Sequence, residues 1–274
     1  MGGSMTSDAI REIANCMREK SIELTYQMGN KGAHIGGGLS LIEIMAVLYM
    51  DVLKYDLTNM TDEMRDRVIF SKGHGTLALY TAMQCAGIIT EAELNTYKQD
   101  DSEVTAHPSV NPKWGIEFSS GSLGQGLSLA VGVALGLRRK HNNTSKVYVI
   151  LGDGECDEGS IWEAAASASH YDLNNIIAIV DRNKLQYDGA TEEVLNMDPM
   201  EEKWKSFGWQ VRKTNGHDID ALKDAFYVNN KRPYVILADT IKGKGVSFME
   251  NNPLWHNGRL SQKQYEQAME ELGL

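Results

Sequence analysis

Two polar residues, Asp153 and Asn183, each follow closely on a short apolar segment of the sequence. Residues 147–151 and residues 176–180 are β-branched, apolar runs, which are typical of buried parallel strands. The alanine-rich residues 161–171 between them predict a helix. Such a strand–helix–strand unit has a right-handed crossover, and ligands bind at the carboxyl ends of its strands. We therefore expect Asp153 and Asn183 to lie together at one edge of a parallel sheet.

These two side chains suit a magnesium ion that carries a diphosphate. Mg²⁺ prefers oxygen ligands, takes few of them from protein, and completes its octahedron with phosphate and water. Asp153 offers a carboxylate, Asn183 an amide oxygen and Leu185 a backbone carbonyl. Gly152 and Gly154 let the backbone approach phosphate oxygens without a Cβ in the way. The sequence therefore predicts a metal site formed by Asp153, Asn183 and Leu185.

A second asparagine pair, Asn174 and Asn175, also follows the Gly-Asp-Gly triplet. This pair precedes its strand, however, so it is expected at the opposite end of the sheet. Asn183 is therefore the better candidate ligand.

Histidines form the second group of candidates. Four of the seven lie in loops marked by glycine or proline: His34, His74, His107 and His256. His74 lies between a predicted strand at residues 68–71 and a predicted helix at residues 76–86, where a helix N-terminus favours anions. We therefore expect His74 to donate to a phosphate. The other three, predicted in a turn or on helix surfaces, indicate less about function: His217, His141 and His170.

The N-terminal elements place the first of these histidines. A helix with an apolar stripe begins at Ser7 and ends before a glycine-rich loop, residues 33–39, which carries His34. Ser40 is expected to cap the next helix, with Glu43 in the capping-box position.

The middle of the chain alternates helices with irregular structure. Thr90 and Glu93 form another predicted capping box. Residues 101–118, which contain His107, lack periodicity, and long irregular stretches in compact domains are often functional. Residues 119–126 are predicted to open the longest helix, which is rich in small residues and ends near residue 140. Its small residues indicate close packing against the sheet, another helix or a subunit.

The last third is predicted to hold two strands and two helices, at residues 209–213, 234–239, 219–228 and from Ser261 onward. A basic, glycine-rich turn containing Lys242 follows the second of these strands and is expected at the same sheet edge as Asp153. The whole pattern predicts an α/β fold with a doubly wound, mostly parallel sheet flanked by helices.

Composition excludes several classes of protein. The 27 basic and 37 acidic residues give a formal charge of −10, which argues against nucleic acid or an anionic membrane as the main partner. No apolar run is long enough for a membrane span or a signal peptide. Three widely spaced cysteines favour neither a disulfide framework nor a zinc site. We therefore expect a cytoplasmic protein.

The chain is expected to form one domain. Met1 to Ser4 precede a second methionine, Met5, and are interpreted as a cloning remnant, so residues 1–5 are set aside. No repeat, low-complexity segment or linker interrupts residues 6–274, which are predicted to be a single domain.

Six motifs in chain order resemble those of one enzyme family. They are AHIGGGLS, SKGHG, TAHP, GSLGQG, GDGECDEG and DRN. The triplet GDG followed by an asparagine after the next strand resembles the thiamine diphosphate enzymes, and the full set resembles the N-terminal half of transketolase. The resemblance covers nearly the whole chain. It implies the thiamine diphosphate-binding fold, with this chain as the domain that binds the diphosphate and Mg²⁺.

The resemblance also implies roles for individual residues. His74 and His256 would contact the diphosphate, and His34 and His107 would face the hydroxyl groups of the sugar, so these four form the catalytic set. Asp153, Asn183 and the Leu185 carbonyl would hold Mg²⁺. The cofactor set further includes Gly121, Ser122, Leu123, Gly152, Gly154, Glu155 and Lys242, together with Glu158, which resembles a carboxylate that links paired active sites.

One departure from the family pattern follows His256. The family often has Gly-Lys-Ala-Pro there, whereas this chain has Asn257-Gly258-Arg259-Leu260. This makes His256 the least secure of the carried-over residues and leaves the acceptor end of the substrate open.

The resemblance implies a transketolase that transfers a two-carbon ketol group from a ketose phosphate to an aldose phosphate. Because the chain has one set of strands and helices, it resembles the N-terminal subunit of a split transketolase. That subunit would pair with a C-terminal subunit that binds the aminopyrimidine, as an α₂β₂ tetramer. Two alternatives are the α-subunit of a 2-oxoacid dehydrogenase, which lacks the AHIGG and SKGH histidines, and a non-catalytic protein of the same fold.

Overall fold

A parallel five-stranded sheet forms the centre of the computed structural model, which describes residues 5–142 and 144–273. The interpretation of Met1 to Ser4 as a remnant lies outside the described residues. In chain order the strands are β1 (Arg67–Phe70), β2 (Val147–Gly152), β3 (Ile176–Arg182), β4 (Gln210–Asn215) and β5 (Tyr234–Asp239). Their order in the sheet is β1-β2-β3-β5-β4, and every pairing is parallel.

Helices connect and cover the strands. They are α1 (Ser7–Gln27), α2 (Ile35–Leu39), α3 (Ile42–Val47), α4 (Thr76–Cys85), α5 (Glu91–Leu94), α6 (Gly126–Arg139), α7 (Gly159–His170), α8 (Thr191–Val194), α9 (Met200–Ser206), α10 (Ile219–Phe226) and α11 (Gln262–Glu271). The short helices α8 and α9 were not predicted from the sequence.

The central strands β2 and β3 are buried on both faces, whereas the edge strand β4 is largely exposed. Alternate side chains of a strand point to opposite sides of the sheet. Tyr148 and Ile150 pack in a core shared with α1, α3, α4 and α10. Val147 and Val149 pack in a second core with α6, α7 and α9. Two cores on one parallel sheet explain the uninterrupted apolar runs of β2 and β3. The predicted doubly wound architecture is confirmed.

The register of the strands aligns their carboxyl ends. Gly152 at the end of β2 pairs with Asp181, and Arg182 at the end of β3 pairs with Asp239 of β5. Asp153 and Asn183 therefore leave the sheet side by side, as predicted. Asn175 lies at the other end, where its carbonyl accepts from the N–H of Val147.

The glycine-rich segment after α1 differs from the prediction. Residues Ile35–Leu39 form the short helix α2 and are buried, with His34 at its N-cap position. A Cβ on Gly36 would lie 2.6 Å from the carbonyl oxygen of Trp255, so glycine lets this helix approach its neighbours. The segment is therefore a tightly packed helix and not a loop.

Two other predictions about helices were wrong. Ser40 does not cap α3, because its hydroxyl lies 2.5 Å from Asp181 Oδ2, and Glu43 pairs with Arg18 instead of closing a capping box. Helix α6 has 14 residues and is shorter than α1, which has 21. Tertiary contacts with buried charges outweigh the local capping pattern here. The predicted capping box at Thr90 and Glu93 is confirmed in α5.

None of the helices within residues 5–142 and 144–273 has the length and apolar character needed to cross a membrane. The three cysteines are free, as expected: Cys16 is exposed, Cys85 half-buried and Cys156 buried.

Candidate functional site

A cavity of about 170 Å³ opens at the carboxyl edge of the sheet, where β2, β3 and β5 end. It is lined by Gly37, Lys72, His74, Leu123, Gly152, Asp153, Gly154, Glu155, Asn183, Leu185, Gln186, Tyr187, Asp188, Lys242 and His256. Residues from seven separate segments of the chain thus form one wall. All three predicted metal ligands and two of the four predicted histidines belong to it.

The three predicted metal ligands lie in two adjacent turns. The Asp153 carboxylate accepts hydrogen bonds from the N–H groups of Gly154 (2.8 Å) and Lys184 (2.5 Å). Asn183 Oδ1 accepts from the N–H of Leu185 at 3.1 Å. Asp153 is 5% exposed and Asn183 is 4% exposed. These hydrogen bonds tie the turn after β2 to the turn after β3 and hold the oxygen donors on one wall.

The electrostatics of Asp153 favour a bound cation. Burial, together with the charge of the neighbouring Asp181, raises the pKa of Asp153 to about 6. A divalent ion bound beside this buried carboxylate would stabilise its ionised form. Within the part of the chain that the structure describes, no three His, Cys, Asp or Glu side chains converge on a metal position. The donor set of one carboxylate and two neutral oxygens therefore fits Mg²⁺ that is also bound by phosphate, and not a site closed by protein ligands.

A buried ion pair lies behind the cavity. The ammonium of Lys72 pairs with Asp181 and also donates to the carbonyl oxygen of Gly37 at 3.1 Å. Burial opposes ionisation of Asp181, but the Lys72 charge and hydrogen bonds from Lys72, Ser40 and Thr240 outweigh it and lower its pKa. Removing one partner of such a pair leaves an uncompensated buried charge, which is strongly destabilising. The pair fixes the base of the site.

Lys242 brings a second positive charge to the cavity. Its Nζ lies 3.0 Å from the carbonyl oxygen of Leu185 and 3.0 Å from Nδ1 of His256, and the residue is 2% exposed. Burial and the charge of Lys72 lower the pKa of Lys242 to about 8. Two ammonium groups and the N–H groups of the turns make this wall complementary to an anion.

The four loop histidines form one cluster. Ring centroids lie 4.9 Å apart for His74 and His256, 5.4 Å for His34 and His107, and 5.6 Å for His34 and His256. His74 and His256 line the cavity, whereas His34 and His107 do not. The cluster therefore extends outward from the cavity wall, with His34 and His107 at its outer side.

All four rings are held in the neutral state at neutral pH. Burial is the largest cause in each case, and it lowers the pKa of His34 to about 4 and that of His256 to about 3. The pKa of His74 is well below its ordinary value, and the pKa of His107 is also lowered. Neighbouring lysines and histidines add to this effect. Neutral imidazoles can each donate or accept one hydrogen bond.

These lowered pKa values predict a pH-dependent stability. Below about pH 6.5 the unfolded chain takes up protons on these histidines while the folded chain does not, so the free energy of unfolding falls as the pH falls. For His34 and His256 the loss extends to about pH 4 and pH 3 respectively. The double variant His34→Gln/His256→Gln should therefore lose less stability between pH 7 and pH 5 than the unmodified chain in urea titrations.

Exposed His170 provides the matched control, since His170→Gln should leave the pH dependence unchanged. Equal slopes in the double variant and the unmodified chain would contradict the assignment of neutral rings.

Glu155 holds the walls of the site together. Its carboxylate accepts from the hydroxyl of Ser71, from the N–H of Gly124 at 2.9 Å and from the N–H of Gly152 at 3.0 Å. It thus joins the ends of β1 and β2 to the loop before α6. Its two oxygens are engaged with protein donors, so its contribution to the cavity is to position these segments.

The other predicted cofactor residues lie at the open side of the cavity. Leu123 lines it, whereas Ser122 lines a neighbouring cavity of about 270 Å³ between β1 and α6. A Cβ on Gly121 would lie 3.7 Å from the ring of His107. Glu158 is exposed and does not line the cavity.

The segment after His256 keeps that histidine in the site despite its unusual sequence. Gly258 and Ala33 form an isolated antiparallel bridge, with N–H to carbonyl distances of 2.8 and 2.9 Å. A Cβ on Gly258 would lie 2.5 Å from the ring of Trp255. Residues Asn257 to Leu260 are therefore anchored, through the Gly258–Ala33 bridge, to the segment that carries His34.

Sequence reasoning missed several residues of the site. Lys72 and Asp181 belong to the motifs SKGHG and DRN but were not predicted as site residues. A charged residue at the carboxyl end of an apolar strand is nevertheless a usable signal. Gln186, Tyr187 and Asp188 line the cavity through the loop that follows Leu185. No pattern in the sequence marks this loop.

Comparison with known proteins identifies the family to which this chain is similar. The family model described as transketolase, thiamine diphosphate binding domain, matches residues 10–274. The chain is 40% identical over 271 residues to an apulose-4-phosphate transketolase subunit of Actinobacillus succinogenes, covering 98% of each chain. It is 40% identical over 263 residues to 6-deoxy-6-sulfo-D-fructose transketolase subunit SqwG of Clostridium sp. (strain MSTE9), covering 94% of each.

A solved structure extends the comparison to a longer protein. The transketolase of Campylobacter jejuni superposes with a TM-score of 0.91 at 28% identity, over 98% of this chain and 43% of that one. The parallel sheet flanked by helices agrees with this likeness. The chain belongs to the transketolase family and corresponds to its thiamine diphosphate-binding domain.

Proposed function

We propose that this chain is the diphosphate-binding subunit of a two-polypeptide transketolase. With a C-terminal partner subunit it transfers a two-carbon ketol group from a ketose phosphate to an aldose phosphate. The observation that carries the proposal is the convergence of three oxygen donors, two ammonium groups and the histidine cluster on one cavity edge. Membership of the transketolase family narrows the candidate reactions to ketol transfer.

The inner wall of the cavity is assigned to magnesium and the diphosphate. Asp153, Asn183 and the Leu185 carbonyl would hold Mg²⁺, and the N–H of Gly154 with the Lys242 ammonium would hold phosphate oxygens. A Cβ on Gly37 would lie 3.3 Å from Lys72 Nζ and 3.2 Å from the ring of His74, so glycine keeps this part of the wall open. When bound, thiamine diphosphate supplies the carbanion chemistry that breaks and forms the C–C bond beside a ketose carbonyl.

The histidines are assigned by their place in the cluster. His74 and His256 line the cavity and would donate to the diphosphate side of the cofactor. His34 and His107 lie farther out and would bind the hydroxyl groups of the sugar. Nδ1 of His34 is buried and has no hydrogen-bond partner among the described residues, so the ring's hydrogen-bonding capacity is not used up within the chain. Neutral rings can donate to a developing alkoxide or take up its proton.

The partner is assigned from the relatives and from the open side of the site. Two relatives that match over nearly their full length are named as transketolase subunits. The exposed residues Gly121, Ser122 and Glu158 lie where a second polypeptide would complete the aminopyrimidine pocket. Gly132 and Gly136 lie on an exposed face of α6, and we assign this face to a further contact between subunits in an α₂β₂ tetramer.

The remaining assignments follow from the same proposal. Residues 6–274 are proposed to act as one domain, and the free cysteines support a location in the reducing cytoplasm. The two relatives are named for different sugars, so the proposal extends to the class of ketol donor and not to one compound. The 2-oxoacid dehydrogenase and non-catalytic alternatives are not favoured, because the likenesses are to transketolases.

The substrate class tests this assignment directly. The assembled two-subunit protein should consume a ketose phosphate in a thiamine diphosphate-dependent manner when an aldose phosphate is present. A 2-oxoacid should not be turned over. Decarboxylation of a 2-oxoacid without ketol transfer would favour the dehydrogenase alternative, and no turnover of either class would favour the non-catalytic one.

The positions of the histidines predict that substitutions in the cavity wall weaken cofactor binding, whereas substitutions farther out lower turnover. His74→Ala should lower thiamine diphosphate affinity about tenfold or more, because it removes a donor from the cavity wall. His34→Ala and His107→Ala should leave that affinity within about threefold and lower turnover by about 10²-fold or more, since they act on the sugar. Calorimetry of cofactor binding and steady-state kinetics with the assembled protein separate the two effects. Equal losses of cofactor affinity in all three variants would contradict the division of roles.

A further inference from the structure

The position of the Lys242 ammonium group depends on the conformation of the backbone that carries it. It lies at the end of a long, flexible side chain in a buried position, 3.0 Å from the Leu185 carbonyl oxygen and 3.0 Å from Nδ1 of His256. Holding a lysine side chain in one conformation costs rotamer entropy. The backbone of residues 240–245 must therefore be fixed if the ammonium is to stay at the cavity wall.

The sequence of this segment does not fix its own conformation. Gly243 and Gly245 have φ values of 78° and 94°, in the left-handed region that glycine adopts without steric cost. One turn hydrogen bond, from the N–H of Lys244 to the carbonyl oxygen of Ile241, is local, and contacts from other parts of the chain complete the path. These include the N–H of Gly243 to the Gly36 carbonyl oxygen at 3.0 Å and the N–H of Asn251 to the Lys242 carbonyl oxygen at 2.9 Å. On the side of Lys242 nearest the sheet, the N–H of Ile241 donates to Nε2 of His217 at 2.8 Å. On the other side, the carbonyl oxygen of Lys244 accepts from Nε of Arg18 at 3.0 Å.

The hydrogen bonds of His217 specify its tautomer. Nε2 accepts from the Ile241 N–H, so the ring proton must be on Nδ1. Nδ1 lies 2.9 Å from Oε2 of Glu43 and therefore donates to it. His217 thus donates to the carboxylate of Glu43 on one side and presents a lone pair to the Lys242 segment on the other.

Glu43 connects the two contacts. Its Oε1 accepts from a guanidinium nitrogen of Arg18, and its Oε2 accepts from His217. Burial opposes ionisation of Glu43, but its bonds to His217 and the charge of Arg18 outweigh burial and lower its pKa. Arg18, Glu43 and His217, from α1, α3 and the turn before α10, form what we call the Glu43 clamp. The clamp holds the backbone at residues 241 and 244, on either side of Lys242.

We propose that His217 is a positioning residue, which acts through the Ile241 N–H to hold the Lys242 ammonium at the diphosphate end of the cofactor site. This inference rests on the proposed function. It gives a role to a histidine that the sequence pattern left unassigned. His217 does not line the cofactor cavity; it lines a neighbouring cavity of about 600 Å³ with Asn183, Leu185 and Ile241, and its hydrogen bond to the Lys242 segment is the one from the Ile241 N–H.

Two substitutions of His217 separate its two hydrogen bonds. In His217→Gln, the longer side chain can place an oxygen near the position of Nε2 and still accept from Ile241. In His217→Asn, the shorter amide can still donate to Glu43 but leaves the Ile241 N–H without an acceptor. We expect His217→Asn to lower thiamine diphosphate affinity on the order of tenfold, or about 1.4 kcal/mol, because the Lys242 ammonium would no longer be held at the cavity wall. His217→Gln should remain within about threefold, and turnover at saturating cofactor should change little in both.

A double-mutant cycle with Lys242→Ala tests the route of the effect. If His217 acts through Lys242, adding His217→Asn to Lys242→Ala should lower cofactor affinity by less than about twofold. The same tenfold loss in both backgrounds would overturn the proposal, because His217 would then act elsewhere. Affinities are measured by calorimetry with Mg²⁺ on the assembled two-subunit protein, with His170→Asn, a change at an exposed histidine, as the matched control.

The tautomer provides a readout that requires neither cofactor nor activity. Long-range ¹H–¹⁵N correlation spectra of the full chain should show His217 protonated at Nδ1 and unprotonated at Nε2 at neutral pH. A ring protonated at Nε2 would overturn the proposal even if His217→Asn failed to fold. If the unmodified assembled protein did not bind thiamine diphosphate at all, the proposed function would fail, while the tautomer would still decide whether the Glu43 clamp exists.

Discussion

Purified alone, this chain should show no ketol transfer with Mg²⁺, thiamine diphosphate, xylulose phosphate and ribose phosphate, and activity should appear when the partner subunit is added. The described residues supply a wall that we assign to the metal and the diphosphate, whereas Gly121 and Ser122, which we assign to the aminopyrimidine end, are exposed. The proposal leaves the acid–base group that activates the aminopyrimidine to the second polypeptide. Because one acid–base group typically raises the reaction rate about 10²–10⁴-fold, we expect the chain alone to be at least about a hundredfold less active than the assembled pair.

The assay needs two controls. The partner alone should also be inactive, and the pair should lose activity when the chain carries Asp153→Asn. Robust turnover by the isolated chain would refute the two-polypeptide proposal while leaving the transketolase assignment in place.

Replacing Asp153 should abolish Mg²⁺-dependent cofactor binding. Asp153→Asn preserves the size of the side chain and one acceptor for the neighbouring N–H groups, but it removes the charge that a divalent ion requires. We expect thiamine diphosphate affinity in the presence of Mg²⁺ to fall on the order of a hundredfold or more, which corresponds to about 2.7 kcal/mol. Calorimetry of the assembled protein with Mg²⁺ and with a chelator separates the metal-dependent part.

The control for this substitution is set by the structure. Asn175 is buried and donates to the Ala134 carbonyl oxygen at 3.3 Å, so replacing it risks a loss of stability. Asn174 is exposed, lies at the same far end of the sheet, and makes its hydrogen bonds to Asp172, Lys146 and Asn230 through its backbone. Asn174→Ala should therefore leave cofactor affinity unchanged. Near-normal, Mg²⁺-dependent affinity in Asp153→Asn would remove Asp153 from the metal site.

Local patterns in the sequence were sufficient to predict the sheet and its functional edge. The apolar runs that became β2 and β3 are buried on both faces, and that requirement is visible residue by residue. Because the carboxyl ends of parallel strands meet at one edge, the positions of Asp153 and Asn183 followed from strand order alone. Thr90 and Glu93 also form the predicted capping box, since a capping box involves only neighbouring residues.

The contacts of Ser40, Glu43 and His217 were decided only by the tertiary structure. Ser40 and Glu43 match a helix-capping pattern, yet their side chains bind Asp181 and Arg18, which are distant in sequence. His217 lies in an ordinary turn after β4, and its contact to Ile241 exists only because β4 pairs with β5. A buried charge or polar group must find a partner wherever the fold supplies one, and that demand outweighs a local cap worth about 1 kcal/mol. The sequence therefore determined which residues reach the sheet edge, whereas long-range packing decided how each of them is held there.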